Sequence, residues 1–192
     1  MADDQRAGDP DAERRATDRL SVARVLAGDR RAFGPLFERY APMIHGLLLA
    51  RTSGPEADDL VQDVFEIALE KLGSLRDPEA IGAWLAQIAR NRAIDAKRAL
   101  KRTEPLDDNI PAVSASPSVR MEARRILDTI RTLPEAYRET LVLRLVEGMS
   151  GPEIAAQVGM TPESVRVNLH RGMKMLKERL GDEQSPGSEG KP

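Results

Sequence analysis

Three groups of side chains in this sequence have the types and spacing to do chemistry, and in each case that chemistry is recognition. Toward the C-terminus, Ser164, Val167, Arg171 and Lys174 recur at helical spacing, with Arg166, His170 and Lys177 on one flank and Asn168 on the other. Arginine and asparagine present donors that match guanine and adenine edges, while lysine and histidine reach phosphates. In the middle of the chain Arg90, Lys97 and Lys101 line up, flanked by Asn91, Arg98 and Arg102, with Ile94 among them. A dipole-complementing helix end explains the last turn of that row, but the row is longer, and phosphate binding explains all of it. Further upstream Asp59, Asp63, Glu66 and Glu70 share one face, with Asp58 and Gln62 beside it. Such a one-signed face is either solvated or docks a basic partner, and taken alone it reads as solvated.

Bond-making chemistry has no comparable foothold. His45 and His170 stand far apart, with no His or Cys companion at metal-ligand spacing. There is no glycine-rich phosphate loop and no nucleophile elbow. Cysteine is absent, which excludes disulfides, thiolate zinc sites and cysteine nucleophiles and fits a reducing interior. The expectation is therefore a non-enzyme with no catalytic residue, metal or cofactor.

The first group must be held by elements that the stretch from Ser150 to Leu180 supplies. Ser150 is an N-cap and Pro152 sits in the first turn of a short helix whose apolar face is Ile154, Ala155 and Val158. Gly159 breaks it, and Thr161 caps a second helix with Pro162 first and Glu163 near its positive end. Val165, Leu169, Gly172, Met173, Leu176 and Leu180 form the buried stripe of that helix. Short helix, glycine turn and longer helix with a polar, basic outer face make a helix-turn-helix, whose second helix enters the major groove. The alternative is an amphipathic helix pair whose charges are merely solvated.

The remaining chain reads as helix throughout. A chain of 192 residues allows one or two domains, and a net charge of −2 leaves nucleic-acid binding to local patches. Residues 1–19 lack apolar periodicity and are expected to be a disordered tail. Helical patterns then run from Leu20 to Leu26, and from Phe33 to Leu48 with Pro42 expected to kink the second. After Ser53-Gly54-Pro55, Leu60, Val61, Val64, Phe65, Ala68, Leu69 and Leu72 form an unbroken stripe opposite the acidic face. A loop with Asp77-Pro78 precedes the helix of Ile81, Trp84, Leu85 and Ile88, where Trp84 suits a core position better than a stacking platform. Residues 103–118, with Pro105, Pro111, Pro117 and the pair Asp107-Asp108, read as a linker between domains. Two further helices, around Ile126 to Leu133 and Tyr137 to Leu145, complete a C-terminal bundle, and 181–192 reads as a second tail. No apolar run approaches a membrane span, and the charged N-terminus is no signal peptide, so a soluble cytoplasmic protein is expected.

Several stretches, taken in order, resemble the extracytoplasmic-function (ECF) group of bacterial sigma factors. They are Ala27-Gly28-Asp29 through Phe33, Leu36 through Pro42, Ala57 through Phe65 and Trp84 through Asn91. Leu133-Pro134, Ser150, Glu153-Ile154-Ala155 and Val165 through Leu169-His170-Arg171 continue the likeness, which covers about residues 20–180. The resemblance implies an all-α fold of two small helical domains joined by a flexible linker: sigma region 2 over 20–102, and region 4 with its helix-turn-helix over 119–180. It implies RNA polymerase core as partner, with Asp58, Asp59, Gln62, Asp63 and Glu66 on the clamp coiled coil of β′ and a further contact to the β flap. That reverses the solvated reading of the acidic face. It implies that the Ser74 to Ala80 loop and the basic helix, through Asp77, Trp84, Arg90, Asn91, Ile94, Lys97, Arg98 and Lys101, capture and melt the −10 element. Ser164, Arg166, Val167, Asn168, His170, Arg171 and Lys174 then read the −35 element. The linker would thread into polymerase channels, and an anti-sigma factor is a further expected partner. The rival readings are a free-standing dimeric regulator on a palindrome and a helical adaptor with no DNA role.

Overall fold

Breakers divide the chain into helices that the apolar stripes then pack. A computed structural model describes residues 10–100 and 117–182. Among the described residues there are eight α-helices and no strand. They are α1 (Pro10–Leu26), α2 (Gly34–Leu49), α3 (Gly54–Lys71), α4 (Ile81–Leu100), α5 (Pro117–Arg131), α6 (Glu135–Leu145), α7 (Gly151–Val158) and α8 (Pro162–Asp182). Short 3-10 turns precede α2 and α4. Pro55 and Pro152 enter their helices in the first turn, where no hydrogen bond is lost. Pro42 does not end α2, which continues through it to Leu49.

In the N-terminal module α2, α3 and α4 pack on one another, burying Tyr40, Met43, Ile44, Leu47 and Leu48 of α2 against Val64 and Ala68 of α3 and Leu85 and Ala89 of α4. Each fully buried side chain of this size stabilises the fold by about 1.5–3 kcal/mol. In the C-terminal module α6 lies along α8, with α5 and α7 on either side. Gly172 permits that approach, since a Cβ there would come within 3.0 Å of Leu141 and 3.1 Å of Tyr137.

The first helix departs from the expectation of a tail over 1–19, because α1 is already helical at Pro10. Its anchor is polar, which is why apolar periodicity misses it. Asp18 is fully buried and accepts hydrogen bonds from the Tyr40 hydroxyl (2.7 Å) and from Arg39 (2.8 Å), while Arg14 donates to the Tyr40 oxygen (3.1 Å). Burial, followed by the hydrogen bond to Asp18, pushes the Tyr40 phenol well above its ordinary range. α5 begins two residues before the expected domain boundary and α8 continues through Gly181 to Asp182. The tail and linker readings for residues 1–9, 103–116 and 183–192 lie outside the described residues, as does Lys101.

The two modules also touch. α6 packs against α2, and α7 against the start of α4, so that one apolar core runs through both.

Candidate nucleic-acid and polymerase interface

The helix-turn-helix is built as the residue types require. Ser150 caps α7 reciprocally: its hydroxyl accepts from the Glu153 N–H (3.4 Å) and the Glu153 carboxylate accepts from the Ser150 N–H (2.7 Å). That pairing holds the Glu153 carboxyl below its usual range. Gly159 ends α7 in the left-handed region at φ 74°, which only glycine adopts without strain. Thr161 then accepts from the Ser164 N–H at 3.2 Å and donates its own hydroxyl to the Ser164 oxygen at 2.8 Å, starting α8.

With Val165, Gly172 and Leu176 buried, the opposite side of α8 faces outward. Ser164, Arg166, Val167, His170, Arg171 and Lys174 are exposed and Asn168 is half-buried beside them. Among the described residues Arg166, His170 and Arg171 carry no ion pair, and Lys174 only a distant one to Glu178 (3.9 Å). A solvated row of donors on a helix narrow enough for the major groove is ready to exchange water for base edges.

α4 presents its groups differently. Asn91, Ile94, Lys97 and Arg98 are exposed, with Ile94 at 45%. Trp84 is half-buried and packed against the core. Arg90 is half-buried and already engaged: Nε and Nη2 each donate to the Glu139 carboxylate of α6 at 2.9 Å. The same carboxylate accepts from Arg51, in the turn after α2. Burial raises the Glu139 carboxyl's pKa, but the hydrogen bond from Arg90 and the charges of both arginines outweigh it, leaving the group below its ordinary range. The hydrogen bond to Glu139 correspondingly raises Arg90. Asp77, in the loop before α4, caps its own turn by accepting from the Glu79 N–H at 3.0 Å. Glu79 in turn pairs with Arg19 of α1 at 3.3 Å.

On α3, Asp58, Asp59, Gln62, Glu66 and Glu70 are exposed. Asp63 is not free with them, since Arg92 of α4 donates to it. Asp58 lies 3.5 Å from Nε2 of His45, whose Nδ1 is 2.7 Å from Glu147 at the end of α6. The hydrogen bond to Glu147 raises the imidazole's pKa above its ordinary value, against the opposing effect of burial. Arg51, Glu139, His45 and Glu147 are functional candidates that sequence reasoning misses. They pair across 88 to 102 residues of chain, and their only local signal is a charge on an otherwise apolar stretch.

A shallow cleft of about 690 Å³ lies between α5 and α8, lined by Met121, Arg124, Arg125, Thr129 and Arg179 among others. Among the described residues no group of three His, Cys, Asp or Glu is placed to hold a metal, and no helix is long and apolar enough to cross a membrane.

Comparison with known proteins shows the family of the chain. The family described as Sigma-70 region 2 matches residues 36–103, and Sigma-70, region 4 matches residues 123–176. The sigma factor CarQ of Myxococcus xanthus is 35% identical over 170 residues, covering 84% of this chain and 96% of its own. The chain belongs to the ECF sigma factors. SigD of Mycobacterium tuberculosis, named an ECF RNA polymerase sigma factor, is 34% identical over 173 residues, covering 83% of this chain and 82% of its own. A solved structure of the sigma factor CnrH with the cytosolic domain of CnrY matches with a TM-score of 0.60 at 29% identity, covering 88% of this chain and 99% of that one. As an ECF sigma factor the protein directs promoter-specific initiation by RNA polymerase and is not itself an enzyme. The N-terminal module is region 2 and the C-terminal module is region 4, with the helix-turn-helix as its DNA-binding part.

Proposed function

We propose the following division of labour among these surfaces. The outward row of α8, from Ser164 to Lys174, reads the −35 element, with Arg166, Asn168 and Arg171 toward base edges and His170 and Lys174 toward phosphates. The exposed side of α4, with Asn91, Ile94, Lys97 and Arg98, grips the opening −10 element, and the loop around Asp77 holds an unstacked base. Capturing a base offsets the cost of unstacking it, so no nucleotide hydrolysis is required. Trp84 acts here by packing α4 on its core, and Arg90 takes part once it leaves Glu139.

The acidic side of α3 docks on the β′ clamp coiled coil, through Asp58, Asp59, Gln62 and Glu66. Asp63 serves this face indirectly, by fixing α3 to Arg92. For the β flap, elimination leaves one part of region 4. α6 and α7 face region 2 and the outer row of α8 faces DNA, so the α5–α8 cleft beside Met121 and Arg179 remains. An anti-sigma factor is a further partner, a reading supported by the likeness to CnrH, which was solved with CnrY. The site of action is the cytoplasm, where the polymerase works.

The observation that carries this reading is that two basic faces and one acidic face are exposed on separate helices of a single sigma-70 chain. The test reverses charge on the acidic face: Asp59→Arg with Glu66→Arg should abolish binding to core polymerase and run-off transcription while the circular dichroism is unchanged. Undiminished core binding would remove that assignment. Recognition of a palindrome by the chain alone, as a twofold assembly, would instead favour a free-standing regulator.

A further inference from the structure

The loop between α3 and α4 owes its shape to local bonds and its place to α1. Within it Ser74 donates to the Lys71 carbonyl (2.7 Å), the Leu75 N–H to the Leu72 carbonyl (3.0 Å) and the Glu79 N–H to the Asp77 carboxylate (3.0 Å). Each of these joins near neighbours in the chain, so none decides where the loop lies against the helices. Two arginines of α1 do that: Arg19 is 3.3 Å from one oxygen of the Glu79 carboxylate and Arg15 is 3.8 Å from the other. Standing four residues apart, they share one side of the helix. α1 also packs against both 3-10 turns, Leu72–Ser74 and Pro78–Ala80, at the two ends of the loop.

α1 is itself fixed in rotation and in register. Arg14 and Asp18, each one residue before an arginine that reaches Glu79, enter the network with Tyr40 and Arg39 of α2. Arg39 closes that network by donating to the Arg14 carbonyl at 3.2 Å. A buried carboxylate is costly unless its hydrogen bonds are made, so turning α1 about its axis, or slipping it by one residue, leaves Asp18 unpaired. The helix needs such an anchor because its apolar contact is slight. Leu20 and Leu26 are 61% and 56% exposed, and of its larger apolar side chains Val22 and Val25 are the buried ones. A polar path thus runs from α2 through Asp18 into α1, and from Arg15 and Arg19 through Glu79 to Asp77.

We infer that α1 is a strut for the loop that receives the −10 base, and that Arg15, Arg19 and Glu79 are positioning residues for that capture. The role in capture rests on the function proposed above for the loop, whereas the bracing of the loop does not. Exposed ion pairs add little to the stability of a fold, and the Arg19 and Glu79 side chains are 62% and 42% exposed. Their effect is therefore on where the loop sits, not on whether the domain folds. A pocket discriminates among bases only while its walls keep their spacing. Tied at Glu79 the loop offers one geometry, and untied it accepts several bases about equally. α1 in this way adds to sequence preference by acting through Glu79, with no contact of its own to the base.

The test uses the full chain. Because no native cysteine is present, Arg76→Cys places a unique spin label at an exposed position of the loop. Arg15→Ala with Arg19→Ala, and separately Glu79→Gln, should each raise the mobility of that label at unchanged helicity and melting temperature. All three substitutions together should do no more than either set, because they remove the same contact. Without the label, run-off transcription with core polymerase from a promoter library randomised over the −10 and −35 elements reads base preference. Both sets should lower the preference at one −10 position by about two- to fivefold and leave every −35 preference as it was. A label equally immobile in all variants overturns the strut. Output that falls evenly at every −10 position, or not at all, while Asp77→Ala flattens one of them, overturns the positioning role. A pattern that Asp77→Ala also leaves intact counts against base capture by this loop, and the mobility of the label then still decides whether α1 braces it.

Discussion

α8 and α4 each carry a basic face on a helix of about equal length, yet the two faces are in different states. On α8 Arg166, His170 and Arg171 point into water with no ion pair among the described residues, so binding costs only their hydration and rotamer freedom. On α4 the best-placed arginine is locked to a buried carboxylate of the other module. A cation that must first break a two-point charged hydrogen bond offers less net affinity than a free one. The difference teaches that exposure, and not composition, separates a reader that is always available from a grip that must be released.

The comparison is broken hardest at Glu139. Replacing it with Ala leaves Arg90 with no counter-charge and Arg51 with Glu135 alone, a loss of about 3 kcal/mol for a buried pair. Relaxation of the contact between the modules limits that loss, so the denaturant midpoint should fall. A midpoint equal to that of the unsubstituted chain would mean that the ion pairs contribute nothing to the contact between the modules.

At the two readers themselves the expected effects are smaller and differ in kind. Arg171→Ala should cost about 1–3 kcal/mol in use of the preferred upstream sequence and much less on an unrelated one, read by transcription from promoter variants. Lys97→Ala should weaken binding evenly across sequences and lower the salt dependence by about one charge. Loss of sequence preference on substituting Lys97, or an even loss at Arg171, would reverse the assigned roles.

The smallest effect is on pH. His45 faces Asp58 from α3 and Glu147 from the end of α6, and its pKa is raised above 6.5. Its contribution to the contact between the modules is thus complete below 6.5 and is lost as pH rises through the raised value. Glu139, depressed below 4.5, contributes above 4.5 and ceases to as pH falls through its lowered value. The denaturant midpoint should be highest between 4.5 and 6.5, and His45→Gln should remove its fall on the alkaline side. An alkaline limb that persists in His45→Gln would assign the titration to another group.

Much of this molecule is legible in its residues. Ser150, Gly159 and Thr161 place the helix-turn-helix because caps and left-handed turns admit few residue types, and the stripe from Val165 to Leu180 then determines which side of α8 faces out. The stripe from Leu60 to Leu72 does the same for α3. What stays hidden is polar and distant in the chain. The start of α1 depends on Asp18 finding Tyr40 and Arg39, a pairing with no periodic trace. Asp63 looks like one more solvated acid until Arg92 is seen beside it.

By itself, then, the sequence determined the helices, their buried faces and the charge of their outer faces, because each depends on neighbours within a few residues. Only the tertiary structure decided which charges are free and which are spent. That depends on pairs such as Arg90 with Glu139 and His45 with Glu147, which lie far apart in the chain and meet where Gly46 and Gly82 leave room for the other module. Coulomb energy follows distance in space, and no local pattern of residues encodes it.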